Sequence, residues 1–289
     1  MCEINTTIKG IMNSKGIIGA IIGDIVGSRF EFNNCLSTDF ELFAIGCRVT
    51  DDSIMTVAIA EWLTTGCNLV NVMRKWGKAY PHIGYGGMFY RWLLADEILP
   101  AYNSFGNGAG MRVSPCGFYA KNLEEALDLA KQSAEVTHNH PEGIKGAQAI
   151  ASSIYLALEG KTKSQIKDYV EKTFEYDLNR SCDKIRLTYS HKFDETCQGS
   201  CPEAIIAFLE SKDYESAIRL AVSIGGDSDT IACMTGSIAA AYYGVPKDII
   251  NKVKPYLTKD IQQAIESFDV KCRNSSKIKR LCYWIKKRL

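Results

Sequence analysis

Apolar residues recur at helical spacing along nearly the whole chain, and strand-like alternation is almost absent. In residues 122–135, Leu123, Ala126, Leu127 and Ala130 fall on one face, with charged residues between them. The same period predicts helices over residues 69–79, 143–159, 163–172, 202–210, 214–224, 229–243 and 247–254. Residues 16–28 (GIIGAIIGDIVGS) are small and apolar all round, as a helix buried on every side must be. Thr50 stands where a helix through Asp51, Asp52 and IMTVAIAEWL needs its cap. Pro202 is expected in the first turn of its helix, and residues 184–190 as a short extended piece. Glycine-rich interruptions fall at 84–87, 103–110 and 225–226. In a helical chain such loops are where a ligand approaches the backbone. The expected fold is all-α: a single compact orthogonal helical domain over residues 1–289, with its core at about 16–245 and a helical C-terminal extension.

Composition narrows the function without choosing it. The chain has 289 residues, 46% hydrophobic and 23% charged, enough for one well-buried core. A formal net charge of +1 argues against a dedicated nucleic-acid binder. The tail 271–289 differs, with Lys271, Arg273, Lys277, Lys279, Arg280, Lys286, Lys287 and Arg288 and no acidic residue. It reads as a solvated terminal helix, with contact to an acidic partner as the alternative. The eleven cysteines are odd in number and scattered, as in a protein with reduced thiols. Cys197 and Cys201 with His191 make a poorly spaced zinc set. The apolar run from Ile17 to Val26 is too short to span a bilayer and is broken by Asp24. The expectation is a cytoplasmic monomer with no membrane partner.

The chemistry lies in two acidic clusters, Thr50-Asp51-Asp52-Ser53 and Gly225-Gly226-Asp227-Ser228-Asp229-Thr230. Each alone reads as a helix cap with acidic residues favoured by the helix dipole. The second, however, precedes the helix IACMTGSIAAAYYG, whose small residues demand close burial, and buried carboxylates need a partner. Together the clusters offer four carboxylates and two hydroxyls. That oxygen set suits a hard cation such as Mg²⁺, Mn²⁺ or Ca²⁺, and two divalent ions would balance its charge. A pair of such ions can act as Lewis acids toward a water and a substrate hydroxyl.

With these motifs in view, the sequence resembles the ADP-ribosylglycohydrolase family. The matching segments are GAIIGDIVGSRFEF (19–32), TDDSIMTVAIAEWL (50–63), FGNGAGMRVSP (105–115), THNHPEGIKGAQA (137–149) and GGDSDTIACMTGSIAAAYYG (225–244). The resemblance implies an all-α fold with a binuclear Mg²⁺ or Mn²⁺ site at helix N-termini. Its ligands would be Thr50, Asp51, Asp52, Asp227, Asp229 and Thr230. It implies a catalytic part for Glu31, Asp52 and Asp227, with Glu31 as acid/base or gate, and a supporting hydrogen-bonding part for Asp24. Ser104, Phe105, Gly106, Asn107 and Gly108 would hold a diphosphate through backbone N–H groups. Gly86 would line the substrate loop, and His138 would touch the ADP-ribose. The implied reaction is metal-dependent hydrolysis at the distal ribose of an ADP-ribosylated protein or an ADP-ribose derivative. The segment GYGGMFYRWL lacks the extra aspartate of arginine-specific members, although Asp96 follows, and so resembles the branch acting on O-linked ADP-ribose. Serine, threonine and arginine linkages all stay open. Two other readings stand beside this one: a non-catalytic ADP-ribose-binding or toxin-immunity module, and a hydrolase of another phosphate-containing nucleotide.

Overall fold

A computed structural model describes residues 12–189 and 193–286, with side chains to residue 274. The described residues form α1 (Ile18–Gly27), α2 (Asp51–Thr65), α3 (Leu69–Ala79), α4 (Gly87–Leu94), α5 (Gly108–Met111), α6 (Ser114–Tyr119), α7 (Leu123–Glu135) and α8 (Pro141–Leu158). They continue with α9 (Lys163–Phe174), α10 (Cys182–Tyr189), α11 (Cys197–Glu210), α12 (Tyr214–Ile224), α13 (Ser228–Tyr243), α14 (Lys247–Val253) and α15 (Lys259–Lys286). Among them no β-strand occurs, only one isolated bridge between Gly106 and Thr196. None of these helices is long and apolar enough to cross a membrane.

Side-chain caps set many helix starts. Thr50 caps α2, Asn68 α3, Asn122 α7 and Thr196 α11, each accepting a backbone N–H of its first turn. Thr162 with Gln165 and Asp213 with Ser216 form reciprocal capping boxes on α9 and α12. Two sequence expectations need correction. Residues 182–189 are helical, not extended: Ile185 and Tyr189, four apart, both bury on one face. Pro202 lies inside α11, because Thr196 starts that helix a turn earlier than the proline suggested. The missing N–H of Pro202 therefore removes one bond from the helix ladder.

The core is one continuous cluster drawn from nearly every helix, with α1 and α13 at its centre. Those two helices pack backbone to backbone. A Cβ on Gly23 would stand 2.0 Å from the Ala232 carbonyl oxygen, and one on Gly27 2.5 Å from the Asp229 Cα. Only glycine permits this approach. It brings Asp24 of α1 beside the start of α13, which is what positions the site. Cys197 and Cys201 are buried against Gly106, Gly143 and Met234, and both are free thiols. His191, the third member of the conceivable zinc set, lies outside the described residues, as do the tail side chains from Lys277 onward.

Candidate active site

Asp24 sits in the middle of an apolar helix with no exposed surface. Its Oδ2 accepts the backbone N–H of Thr50 and of Ser53, each at 3.1 Å, and the Ser53 hydroxyl. Its Oδ1 accepts the Thr50 hydroxyl at 2.6 Å. One buried carboxylate thus satisfies two orphan N–H groups at the start of α2 and fixes where that helix begins. Burial pushes its pKa up to about 6, against the opposing hydrogen bonds from Ser53 and Thr50.

The start of α2 then presents Asp51 and Asp52 to a cavity of about 490 Å³. Asp52 is buried, and its Oδ1 has no hydrogen-bond partner among the described residues. Its Oδ2 accepts the Thr230 hydroxyl at 3.3 Å. Asp51 faces the 84–87 loop, where a Cβ on Gly84 would lie 3.1 Å from its Oδ1. Asp227 and Asp229 enter from the start of α13. Asn107 donates to Asp227 Oδ2 at 2.6 Å and to Ser200 Oγ at 3.1 Å, which orients that carboxylate. The turn before it depends on Gly226 at φ +65°, where a Cβ would stand 1.9 Å from the Tyr189 ring.

Glu31 comes from the loop after α1. Asn34 ties this loop to the 225–226 turn, donating to the Gly226 carbonyl and accepting the Gly226 N–H, each at 2.9 Å. Arg48 lies 3.9 Å from the Glu31 carboxylate. Burial and the charge of Asp227 push Glu31 up to about 7. Burial, reinforced by mutual repulsion, also raises Asp51, Asp52 and Asp229 well above the carboxylate range, and burial raises Asp227.

Two triads each bring three carboxylate oxygens within 4.8 Å of one another: Asp24, Asp52 and Asp229 in one, and Glu31, Asp227 and Asp229 in the other. Asp229 belongs to both. An orphaned buried oxygen and a set of carboxylates that repel one another fit hard cations. Asp24 has its oxygens taken by four donors and is placed to orient its neighbours.

Gly86, Ser104, Gly106, Asn107, Gly108 and His138 also line the cavity. Phe105 does not; it turns outward against the His140 ring, 5.3 Å between centroids. Thr50 is buried among the carboxylates, its hydroxyl on Asp24 Oδ1 and 3.4 Å from Asp52 Oδ2. The Gly-rich loop spends two of its own donors internally. Gly106 N–H bonds to Ser104 Oγ and Asn107 N–H to the Glu195 carbonyl. His138 is nearly buried, and burial together with Arg112 pushes its pKa well below the usual imidazole value.

Sequence reasoning passed over Arg112, Tyr102, Glu195 and Phe193, which also line the cavity. Arg112 was visible only as a letter in the FGNGAGMRVSP motif. Glu195 and Phe193 sit in an unpatterned stretch before α11, drawn to the site by the bridge between Gly106 and Thr196 and by stacking of Phe193 on Phe32. Asp96, the acidic residue after GYGGMFYRWL, is exposed and away from the cavity.

The match to the ADP-ribosylglycohydrolase family spans residues 14–277, from just before α1 into α15. The chain belongs to this family. Similar curated proteins include ADP-ribosylhydrolase ARH3 of Danio rerio, 26% identical across 79% of this chain and 82% of that protein. ARH3 of Homo sapiens is also 26% identical, over 79% and 84% respectively. ADP-ribosylarginine hydrolase Tri1 of Pseudomonas putida is 24% identical, over 85% and 75%. Among solved structures, an ADP-ribosylglycohydrolase-related protein complex superposes with a TM-score of 0.65 at 22% identity, covering 89% of this chain and 97% of that one. That likeness supports the all-α fold. All five segments quoted from the sequence lie within the matched span.

Proposed function

We propose that the cavity binds ADP-ribose and hydrolyses the bond joining its distal ribose to an acceptor, using two divalent cations, Mg²⁺ or Mn²⁺. The observation that carries this reading is the pair of acidic triads sharing Asp229, set in one cavity with the Gly106–Gly108 loop. Thr50, Asp51, Asp52, Asp227, Asp229 and Thr230 would hold the cations, with Asp24 orienting Thr50. When bound, the cations supply Lewis acidity and an ordered water.

The chain's own residues do the rest. Asp52 and Asp227 have fixed directions, one through Thr230 and the other through Asn107. Such preorganisation lowers the reorganisation needed as charge develops. Glu31, on the loop beside Asp227, moves the proton to the departing acceptor. His138 and Gly108 face the diphosphate, and Gly86 and Met88 line the adjoining wall.

For the linkage we favour an O-linked acceptor such as ADP-ribosylated serine or threonine. The 84–88 segment offers glycines and a methionine but no carboxylate of its own to a guanidinium, and the Asp51 carboxylate beside it is assigned to the cations. A second reading, cleavage from arginine, rests on Glu195, whose carboxylate lines the cavity near Asp227. The test is incubation with ADP-ribosylated serine, threonine and arginine peptides, with and without Mg²⁺, scored for free ADP-ribose. Release from the serine or threonine peptide only with Mg²⁺ is the expected result. Release from arginine alone would transfer the reading to Glu195. Tight binding without release from any peptide would make the protein a binding module.

A further inference from the structure

Arg112 is fully buried and makes no ion pair among the described residues. Its Nη2 donates to the Ser133 carbonyl at 2.7 Å and to the Thr137 hydroxyl at 2.9 Å. Its Nε and Nη1 are buried without a hydrogen-bond partner, its guanidinium carbon lies 5.7 Å from the centroid of the Phe89 ring, and the side chain forms part of the cavity wall. A buried cation with no anion nearby is expensive. The site therefore lacks a negative group on this side.

Thr137, also fully buried, passes the constraint on. Its Oγ1 accepts from Arg112 and lies 2.8 Å from His138 Nδ1. A hydroxyl has one proton to give. With Arg112 donating to the oxygen, the one partner left for that proton is Nδ1. The imidazole is then an acceptor at Nδ1 and carries its proton on Nε2. Nε2 lies against the Gly-rich loop, 3.0 Å from where a Cβ on Gly108 would stand. Gly106 and Asn107 have already committed their N–H groups within the protein. That leaves fewer backbone donors on this wall, and Arg91 and Arg112 are the cationic side chains lining the cavity.

We propose that Thr137 and Arg112 are positioning residues that lock His138 as a permanent Nε2–H donor to the substrate's diphosphate, with Arg112 behind it as the diphosphate's counter-charge. The depressed basicity of His138 agrees, since a donor that never becomes cationic keeps one hydrogen-bonding pattern across physiological pH. The choice of a diphosphate rests on the ADP-ribose reading of the cavity. The tautomer does not, and it can be read without any ligand.

The experiment uses the full chain labelled with ¹⁵N-histidine. It has four histidines, and His138→Gln assigns the signal. At pH 6.5–7.5 the unliganded protein should show a pyrrole-type Nε2 and a pyridine-type Nδ1 at His138. Thr137→Val should redistribute the proton toward Nδ1 and weaken ADP-ribose binding about tenfold, the loss of one oriented hydrogen bond. Thr137→Ser, which keeps the hydroxyl, should restore both. Arg112→Met should weaken ADP-ribose about ten- to a hundredfold while changing adenosine, which has no phosphate, less than twofold. A pyrrole-type Nδ1 or an imidazolium in the wild type would overturn the lock. So would equal behaviour of the valine and serine variants. Equal losses for ADP-ribose and adenosine would overturn the counter-charge. If Arg112→Met does not fold, the Thr137 pair still decides the lock, and the salt dependence of ADP-ribose affinity decides the charge: a flat dependence would overturn it. Absence of ADP-ribose binding by the wild type would remove the functional reading and leave the tautomer measurement standing.

Discussion

Asp24 offers a clean perturbation, because it touches the cavity only through other residues. Replacing it with alanine strips two backbone N–H groups, those of Thr50 and Ser53, of their acceptor in a fully buried place. Each unsatisfied buried donor costs about 1–3 kcal/mol. The two hydroxyls that also lose Asp24 can rotate toward other acceptors, so they add little. Removing a carboxylate that burial already disfavours gives some of this back. The net expectation is a destabilisation of about 2–4 kcal/mol, or roughly 4–8 °C in Tm for a chain of this size. Asp24→Asn keeps one acceptor oxygen for both N–H groups and should lose only about 1 kcal/mol. Because Thr50 and Asp52 lose their orientation, Mn²⁺ affinity should also fall about tenfold or more in the alanine variant. Thermal unfolding and titration calorimetry with Mn²⁺ measure both quantities. An Asp24→Ala protein with Tm within about 1 °C of wild type and unchanged Mn²⁺ affinity would refute the anchoring argument.

Gly226→Ala must place a Cβ inside the Tyr189 ring at a left-handed backbone position, so it should destabilise by about 3 kcal/mol or more in urea unfolding. Adding Tyr189→Ala should recover the steric part and leave about 1 kcal/mol of backbone strain, and no recovery would show the clash is not the cause. Asp269, buried on α15 and accepting the Asn13 N–H at 2.7 Å, is pushed up to about 7 by burial. The folded state then holds its proton more tightly than the unfolded chain, so its contribution to stability is full below pH ~4 and is lost as pH rises to about 7. Asp269→Asn should gain stability relative to wild type across that window and hold a constant lead above it; a pH-independent difference in urea midpoint would contradict this.

How much of this could be read from the sequence depended on the range of the interactions. Helices 69–79 and 214–224 were legible to the residue, because their apolar period and their Asn68 and Asp213 caps are local. The short helices α4, α5 and α6 were not, since each has too few turns to show a period and glycine or proline dilutes its signal. That Asp51 and Asp52 meet Asp227 and Asp229 in one cavity was legible because buried carboxylates at two helix starts need partners that neither helix supplies alone. Asp24 announced itself as a carboxylate inside an apolar helix, which must find donors. The direction of the Phe105 side chain, turned toward His140, was not legible, because the motif speaks only for its backbone. The link from Arg112 through Thr137 to His138 was out of reach: it joins the end of α5 to the end of α7, and no local pattern records that contact.

The central claim is that the shared acidic site hydrolyses an ADP-ribose linkage with divalent cations. The most direct measurement is release of ADP-ribose from an ADP-ribosylated serine peptide by wild type and by Asp229→Asn. Asp229 is the residue common to both acidic triads. Wild type should release ADP-ribose in Mg²⁺, stop on chelation and recover when Mg²⁺ is restored. The folded Asp229→Asn variant should lose about a hundredfold or more in kcat. Full turnover by the chelated enzyme, or by Asp229→Asn, would contradict the account.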